Sequence, residues 1–383
     1  MIFLAYTFGA LATLSCALAG WQWLAARKFP LHQKTAVENF APAVSILKPL
    51  KGCDATTRES LQSWLRQNYA GPVEILFGVA DETDRAVEIV RALLAENPAV
   101  NARLIICQNL AGGNAKSAKL AQLEKLAQHD LILTCDADVR VPMDFLANFV
   151  PPLRDEKTAL VNCFYRLANP TTNAMRWEAV AVNADFWSQV LQSQTLKPLD
   201  FALGAALLVR RNALAQIGGF AAFADHLADD YQLGQRIAKN GHAIALCPVV
   251  VECWSASMNW RQVWKHQLRW ARTIRVCQPL PYFFSILANA TLWPLLWFFI
   301  SFVAGKTFCA PLTAIIFLLV RIILAQNLQR RFTPPEKLVS PAWLVPVKDL
   351  LAAAIWLAAF AGNTVEWRGT KMKLRRDGTL EKI

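Results

Sequence analysis

The first 26 residues contain no charged side chain, and Arg27 and Lys28 follow them directly. A bilayer-spanning helix needs about 20 predominantly apolar residues, so this stretch is long enough to cross a membrane. A secretory signal peptide is the competing interpretation, because residues 17–19 read Ala-Leu-Ala, but a signal peptide carries basic residues before its apolar run. Basic residues on the C-terminal side instead predict an uncleaved anchor over residues 1–26, with the following domain in the cytoplasm.

The composition indicates a protein with both aqueous and membrane parts. Hydrophobic residues make up 55% and charged residues 18% of the 383 residues, against roughly 45–50% and 25% in soluble domains. This balance excludes disorder, collagen and a disulfide-rich secreted scaffold. The net charge of +12 favours acidic partners, such as anionic lipids or a phosphate-bearing substrate. Nine scattered cysteines without a C-x-x-C pair argue against a zinc site and fit a reducing compartment.

Residues 27–256 alternate short apolar runs with helical patterns, which predicts an α/β domain. The β-rich runs are residues 44–47, Val73–Val79, 102–107, 130–135 and 159–165. The helical patterns between them are residues 57–67, 84–96 and 116–128. This alternation is typical of a parallel sheet with helices on both faces. Ligands of such sheets bind at the carboxyl ends of the strands, so polar residues just after the strands are candidate site residues.

Two further apolar stretches, residues 283–304 and 308–326, are each long enough to span a bilayer. Their connection at Gly305 and Lys306 is short, which predicts a hairpin. Arg321 would lie near the far end of the second stretch, where its side chain can extend to the membrane interface. Basic residues after this stretch place that end in the cytoplasm.

The stretch at residues 343–362 is interrupted by Lys348 and Asp349, and Pro346 is expected to kink it. It predicts either a transmembrane or a re-entrant segment. A full crossing would move the basic tail, residues 363–383, to the outside, against the positive-inside tendency. The re-entrant or interfacial form is therefore favoured.

Two carboxylates, Asp136 and Asp138, follow the strand predicted at residues 130–135. Alternation along an extended chain sends side chains spaced by one residue to the same side. Paired hard oxygen donors at a strand end suit Mg²⁺ or Mn²⁺ carrying substrate phosphates. The alternative is a loop aspartate that caps the next helix.

Other acidic residues occupy similar positions. Asp81 follows the strand Val73–Val79 and could hydrogen-bond a base or a ribose, whereas Asp84 is the expected N-cap of the next helix. Asp229 and Asp230 open a later helix, and two adjacent acids raise each other's pKa, which suits a general base. The helix N-terminus opposes that shift, and helix capping is the simpler alternative.

Basic residues complement these acids. Lys48 follows the first predicted strand. The run Gly112-Gly113-Asn114-Ala115-Lys116 opens a helix whose free backbone N–H groups favour anions, although its spacing is not that of a P-loop.

Residues 257–282 interleave tryptophans with cations and predict an amphipathic helix at the membrane surface. Trp260 and Trp264 share one helix face, and Arg269 can reach a diphosphate with two hydrogen bonds. Nucleic-acid binding, the other use of such a stretch, does not fit a helix beside the bilayer.

Taken together, these motifs form a known series. Their order resembles the D, D-x-D, D, (Q/R)xxRW pattern of family 2-like inverting glycosyltransferases with a GT-A fold. Residues 45–52 and the closing Trp367-Arg368-Gly369 look like ceramide glucosyltransferases. Residues 227–231 and 266–275 look closer to bacterial relatives, including the hopanoid-biosynthesis glycosyltransferases. The similarity extends from about residue 44 to residue 379, which is nearly the whole chain.

The resemblance implies transfer of a hexose, glucose or N-acetylglucosamine, from a UDP-sugar to a membrane lipid hydroxyl of the ceramide or hopanoid type. It implies a multi-pass protein of the bacterial inner membrane with a cytoplasmic GT-A domain and no nucleic-acid partner. It also implies a divalent cation, Mg²⁺ or Mn²⁺. The implied roles are uridine binding for Asp81, ribose and metal binding for Asp136, metal binding for Asp138, proton abstraction for Asp230, and donor binding for Lys48, Lys116, His266, Arg269 and Trp270.

The chain departs from the family pattern at His266, where a glutamine or arginine is usual, and Gln267 stands one position away from replacing it. Both aspartates of the D-x-D motif are present, whereas animal ceramide glucosyltransferases have a degenerate motif. Two alternatives remain at the level of sequence. The first is a processive polysaccharide synthase, which needs a pore, and three or four short spans are too few to form one. The second is a catalytically silent membrane scaffold, and the acids present at every motif position argue against it.

Overall fold

The structure, a computed structural model, describes residues 1–37, 39–305, 309–334, 339–367 and 370–383. Lys306, in the predicted hairpin connection, and Arg368-Gly369, in the closing motif, lie outside the described residues, as does the first residue of the stretch predicted at 308–326.

The centre of the molecule is an eight-stranded sheet in the described part of the chain. Its strands are β1 (Val44–Pro49), β2 (Val73–Val79), β3 (Ala102–Ile106), β4 (Leu131–Cys135), β5 (Val139–Arg140), β6 (Thr158–Leu167), β7 (Ala206–Arg210) and β8 (Ala243–Cys253). The strand order is β3-β2-β1-β4-β7-β6-β8-β5. Strands β1 and β4 are buried along their whole length, as expected of strands covered on both faces.

The five predicted strands are confirmed, and the prediction of a parallel sheet holds for six of the eight strands described, all except β5 and β7. Strands β3, β2, β1 and β4 are parallel, in register Val44 with Val73 and with Leu131, and β6 pairs parallel with β8. Strand β7 pairs antiparallel with β4 and β6, and β5 pairs antiparallel with β8. The antiparallel strand β7 lies between β4 and β6 and runs in the direction opposite to both. No local sequence pattern specifies that long-range pairing.

Helices cover the sheet and extend from it. They are α1 (Ile2–Lys28), α2 (Thr57–Leu65), α3 (Ala86–Glu96), α4 (Ala115–Leu126), α5 (Phe145–Phe149), α6 (Asn173–Val180), α7 (Trp187–Gln194), α8 (Arg211–Gln216), α9 (Asp229–Lys239), α10 (Trp260–Cys277), α11 (Pro279–Phe284), α12 (Leu292–Val303), α13 (Cys309–Phe332) and α14 (Leu344–Phe360). The three predicted helices at residues 57–67, 84–96 and 116–128 correspond to α2, α3 and α4.

By length and composition, α1 and the segment Ala310–Phe332 of α13 are candidate membrane spans. The two helices pack together, and α1 also packs on α12. The Arg331 guanidinium donates to the Phe29 carbonyl at 3.0 Å, so the C-terminal ends of α1 and α13 lie side by side. This is the arrangement that basic residues after both stretches predict.

The stretch predicted at residues 283–304 is not one helix. A helical segment over Pro279–Ala288 and helix α12 meet at a break and form a bent pair with an angle of 49°. The break is held by α14, because the Asn289 amide donates to the Asp349 carbonyl at 2.7 Å and the Thr291 hydroxyl donates to the Asp349 carboxylate at 2.5 Å. Apolar composition alone does not reveal this tertiary contact.

The expectation that Arg321 extends to the interface is wrong. Its side chain is buried and donates to Asp185 and Asp349, both at 2.8 Å. Lys348 completes the group, at 2.6 Å from Asp349 and in contact with Asp185. Two cations and two anions compensate each other, which makes burial of charge on apolar helices tolerable. This four-residue charge cluster joins α13, α14 and the π-helical segment Ala181–Phe186.

The expectation that Pro346 kinks its helix is also wrong. Pro346 lies in the first turn of α14, where a backbone N–H would have no partner within the helix. Its missing N–H therefore costs no hydrogen bond, and the helix is not kinked there.

The tail at 363–383 forms a three-stranded antiparallel sheet from β9 (Thr364–Trp367), β10 (Thr370–Leu374) and β11 (Leu380–Lys382). The Leu380 N–H donates to the Asp225 carbonyl at 2.7 Å, so this small sheet is attached to the α/β domain.

Candidate active site

The D-x-D motif follows β4 directly and is held between two other strands. The Asp136 N–H donates to the Ala205 carbonyl, just before β7, at 3.1 Å. The Asp138 carbonyl accepts from the Trp254 N–H, just after β8, at 3.0 Å. The two predicted metal-binding carboxylates therefore lie at the end of β4, beside its antiparallel neighbour β7.

Lys116 connects the two acidic motifs of the chain. Its Nζ lies 2.8 Å from Asp136 Oδ1 and 3.3 Å from Asp229 Oδ2, although 93 residues separate these aspartates in sequence, from 136 to 229. Burial lowers the pKa of Lys116, but Asp136, Asp229 and Asp230 outweigh it and raise this pKa well above its ordinary value. A permanent cation thus stands between the D-x-D motif and the start of α9.

Asp230 has the environment of a general base. Its Oδ2 accepts a hydrogen bond from the Gly204 N–H at 2.7 Å, and its Oδ1 accepts from the Tyr231 N–H at 2.8 Å. Burial, followed by the neighbouring Asp229 charge, raises the pKa of Asp230 to about 6, against the opposing effects of Lys116 and these hydrogen bonds. Burial is the largest cause of this rise, and the predicted effect of the adjacent acid adds to it.

Lys48 does not present its ammonium group to open solvent. Its side chain is fully buried, and Nζ donates to the Asp136 carbonyl at 2.9 Å and to Cys135 Sγ at 3.3 Å. The ammonium also lies over the Trp64 ring, 4.6 Å from its centroid. These contacts position the D-x-D loop, and the donor-binding role of Lys48 stays a prediction.

The acids after β2 have separate tasks. Asp81 is exposed, and its Oδ1 accepts from the Thr83 N–H at 2.7 Å and hydroxyl at 2.9 Å, which lowers its pKa. Asp84 accepts from the Ala86 N–H at 2.9 Å, at the start of α3, and from the Gly52 N–H at 2.9 Å. The N-cap residue of α3 is Arg85 and not the predicted Asp84, but the Asp84 carboxylate accepts from the first N–H of the helix and connects the loop after β1 to the loop after β2.

Several backbone N–H groups at the expected anion site, the start of α4, have partners within the protein. The Asn114 side chain accepts from the Lys116 N–H at 3.0 Å and from the Ser117 N–H at 3.2 Å, and Asp225 accepts from the Gly113 N–H at 3.0 Å. These backbone donors are already used within the protein. The contribution of this segment to the site is the Lys116 side chain.

A buried residue that the sequence did not single out, Glu178, explains the departure at His266. His266 Nδ1 lies 2.6 Å from Glu178 Oε1, and the Gln267 amide donates to the same oxygen at 2.8 Å. The His266 ring also packs on Trp270, at 4.7 Å between centroids. Glu178, 1% exposed on α6, thus fixes the segment that carries Arg269. No sequence signal points to it, because a single glutamate in a helix is common.

A cavity of about 520 Å³ lies beside this segment. The described residues lining it include Asp138, Glu178, Cys253, His266 and Arg269. Burial raises the pKa of the Cys253 thiol well above its ordinary value, so this thiol stays neutral and is a poor nucleophile. The cavity is therefore lined by residues of both the D-x-D motif and the motif on α10, which include carboxylates and a guanidinium.

The residues present fit a divalent cation bound together with a phosphorylated ligand. Within the described ranges, no group of three or more His, Cys, Asp or Glu side chains forms a closed metal site. Mg²⁺ and Mn²⁺ are commonly held by one or two carboxylates plus substrate phosphates. Asp136 and Asp138 are two such donors on one loop.

Comparisons with known proteins identify a family and similar chains. The sequence model of glycosyl transferase family 21 matches residues 7–380. Ceramide glucosyltransferase 3 of Caenorhabditis elegans is 24% identical over 92% of this chain and 77% of its own length. A β-monoglucosyldiacylglycerol synthase of Nostoc is 26% identical over 54% of this chain and 44% of its own. A mannosyltransferase from Pyrobaculum calidifontis, solved with GDP-Man and Mn²⁺, has a TM-score of 0.56 at 19% identity, covering 94% of this chain and 97% of its own.

Proposed function

Since the chain belongs to glycosyl transferase family 21, we propose that it transfers a hexose from a UDP-sugar to the hydroxyl group of a membrane lipid. The observation that carries this proposal is the Lys116 bridge, which brings Asp136 and the Asp229-Asp230 pair into one site. A donor-binding motif beside a general base is what group transfer requires. The relatives named for ceramide and diacylglycerol products support a lipid as the acceptor.

In the proposed reaction Asp230 removes the proton from the lipid hydroxyl. The hydroxyl oxygen forms a bond to the anomeric carbon of the donor sugar, and the bond from that carbon to the UDP oxygen breaks. Attack from the side opposite UDP inverts the anomeric carbon. A pKa of about 6 suits this role, because the carboxylate is ionised at neutral pH and still a stronger base than an ordinary aspartate.

UDP leaves with negative charge, which the proposed site can stabilise. Asp136 and Asp138 would hold a divalent cation, which supplies Lewis-acid stabilisation of the diphosphate when bound. Arg269 and Lys116 supply permanent positive charge, and a guanidinium can bind a phosphate through two hydrogen bonds. Asp81 would contact the uridine, while His266 and Trp270 shape the donor pocket.

The catalytic domain, residues 27–256, would face the cytoplasm beside a multi-pass membrane region. The basic C-terminal ends of α1 and α13 support this orientation. The attachment of residues 363–383 to the α/β domain supports a segment 343–362 that does not cross the membrane. Helix α14 has 17 residues and is about 25 Å long, short of the roughly 30 Å hydrocarbon core.

Lipid analysis and a purified assay together test the proposal. Mass spectrometry of cells with and without the gene should reveal a hexosylated lipid only when the gene is present. The purified protein should then transfer sugar from UDP-glucose or UDP-N-acetylglucosamine to ceramide, diacylglycerol or a hopanoid polyol. EDTA should abolish transfer, and Mn²⁺ or Mg²⁺ should restore it. Hydrolysis or transfer of no UDP-sugar would support a silent scaffold, and a long glycan product would support a polysaccharide synthase.

A further inference from the structure

The helix that carries the proposed base begins without a side-chain cap. Ala228 occupies the N-cap position of α9, and Asp229 and Asp230 belong to its first turn. A helix start without a capping side chain leaves its first N–H groups without that partner, and helix ends fray. A catalytic group must be held within about 0.5 Å of its productive position. The base therefore needs contacts from other parts of the fold.

One set of contacts comes from the loop before β7. Helix α9 packs so closely on this loop that a Cβ at Gly234 would lie 2.1 Å from the Ala202 nitrogen. The Phe201 ring stacks on the Tyr231 ring, at 6.3 Å between centroids and 24° between planes. This loop thus contacts the ring of the residue that directly follows Asp230 in the chain.

The Tyr231 hydroxyl connects α9 to the end of α10. It donates to the Cys277 carbonyl at 3.2 Å and accepts from the Gln278 side-chain amide at 2.7 Å. The Gln235 amide, on α9 itself, donates to the same hydroxyl at 2.8 Å. A tyrosine hydroxyl has one proton to donate and can accept from two partners, so its hydrogen-bonding capacity is filled. Two of these three bonds hold the first turn of α9 on the end of α10.

Helix α10 also carries the proposed donor motif. Arg269 and Trp270 lie on it, and Gln278 is its C-cap, with its backbone N–H donating to the Ile274 carbonyl at 2.7 Å. At 1.5 Å per residue, the helix rises about 13 Å from residue 269 to residue 278. One helix therefore links the donor motif at its middle to the Tyr231 contact at its end.

The small sheet of β9, β10 and β11 is attached to both helices. The Arg272 guanidinium of α10 donates to the Thr364 carbonyl, and Val276 packs against the buried side chains of the small sheet. Residues 225–227, just before α9, pair with residues 378–380 in two backbone hydrogen bonds. The end of α10 and the start of α9 thus rest on a common support.

We propose that Tyr231 is a positioning residue of the proposed reaction. Through Gln278 and the Cys277 carbonyl it fixes the first turn of α9, and with it Asp230, relative to the donor motif on α10. The base then keeps a constant distance from the sugar donor that this motif would hold. The Tyr231 hydroxyl itself takes no part in proton transfer. This inference rests on the proposed function and adds to it the residue that aligns the base with the donor site.

The main test removes the hydroxyl alone. Tyr231→Phe keeps the ring that stacks on Phe201. We expect kcat for transfer from UDP-glucose or UDP-N-acetylglucosamine to ceramide or diacylglycerol to fall about 10-fold, because misalignment of a catalytic group is costly. The KM for the UDP-sugar and the UDP affinity in calorimetry should stay unchanged. Tyr69→Phe, which loses a hydrogen bond of 2.7 Å to the Pro42 carbonyl, is the matched control and should keep the wild-type kcat.

The two glutamines that share the hydroxyl separate a link to α10 from a contact within α9. Gln278→Leu should lower kcat about 3–10-fold, as expected for one lost hydrogen bond. Gln235→Leu should leave kcat within about twofold, because that bond joins α9 to itself. The double variant Tyr231→Phe/Gln278→Leu should lose no more than about 10-fold, because both changes break the same link. Independent effects would multiply to about 30–100-fold.

The outcomes separate this proposal from the broader one. If wild type binds UDP but transfers sugar to no lipid, the proposed function fails, and the role of Tyr231 fails with it. If wild type transfers sugar and both Tyr231→Phe and Gln278→Leu keep the kcat of Tyr69→Phe, only the positioning role is overturned. Equal losses of kcat and UDP affinity, or losses that multiply in the double variant, would also overturn it. If Tyr231→Phe does not fold, Gln278→Leu decides, because it leaves every side chain of α9 unchanged.

Discussion

The Asp230 carboxylate accepts a hydrogen bond of 2.7 Å from the backbone N–H of Gly204. A Cβ at position 204 would lie 3.1 Å from the Asp230 carboxylate oxygen, so the absence of a side chain permits this contact. The loop before β7 and the start of α9 thereby fix the orientation of the proposed base. Several consequences of this arrangement can be measured.

Gly204→Ala should displace Asp230 without removing it. The added methyl group must push the carboxylate or the loop by a few tenths of an ångström, which misaligns the base. We expect kcat to fall about 10-fold or more, since small displacements of a catalytic group are costly. UDP affinity, measured by calorimetry, should change little. Gly241→Ala is no suitable control because its φ is +84°, whereas Gly20→Ala, with nothing within 4 Å of the added carbon, is.

Asp230→Asn should abolish sugar transfer while preserving UDP binding. The amide keeps the size of the side chain and still accepts from Gly204, but it cannot take a proton at neutral pH. We expect a loss of at least about 100-fold in kcat. Asp200→Asn, at a partly exposed aspartate paired with Lys197, is the matched control. Normal turnover by Asp230→Asn would rule out its role as the base.

The pH dependence should show the raised pKa of Asp230. Only the deprotonated form accepts a proton, so kcat should rise with pH through a limb near pH 6 and level off above it. Because the Asp229 charge helps to raise this pKa, Asp229→Asn should move the limb to lower pH. A limb that stays in place in Asp229→Asn would contradict the assignment.

Glu178→Ala should weaken donor binding through the α10 segment. Removal of the carboxylate leaves His266 and Gln267 without their shared partner, so Arg269 loses its fixed position. We expect the KM for the UDP-sugar to rise about 10-fold, the cost of roughly one or two lost hydrogen bonds. Glu88→Ala, on the surface helix α3, serves as the control. Unchanged donor kinetics would show that Glu178 has no positioning role.

The charge cluster of Arg321, Asp185, Lys348 and Asp349 should matter for stability. Arg321→Met removes one of the two cations, so the buried carboxylates of Asp185 and Asp349 keep only Lys348 as an ion-pair partner. Removing one partner of a buried ion pair lowers the free energy of unfolding by about 3–5 kcal/mol. Thermal unfolding in detergent should therefore occur at a clearly lower temperature. Arg330→Met, at an exposed position on the same helix, should leave the unfolding temperature within about a degree or two, as surface substitutions usually do.

Much of the fold was predictable from local pattern. The strands from residue 44 onward and the helices between them could be predicted from the sequence, because buried strands are short β-rich runs and amphipathic helices have a 3.6-residue period. The antiparallel position of β7 between β4 and β6 could not be predicted from the sequence, since the strands that pair with it come from distant parts of the chain. The bend between the segment Pro279–Ala288 and α12 was not predictable either, because the contact that holds the break comes from Asp349, about 60 residues later.

The sequence by itself determined the chemistry available to this protein: an apolar anchor, carboxylates after the strands, and cations near them. Those features depend only on residue type and spacing, which are fixed by the sequence before the chain folds. Only the tertiary structure decided which groups meet. It brought Lys116 between Asp136 and Asp229, and it paired His266 with Glu178. Ion pairs and hydrogen bonds act over a few ångströms, so they depend on packing between elements that sequence order keeps apart.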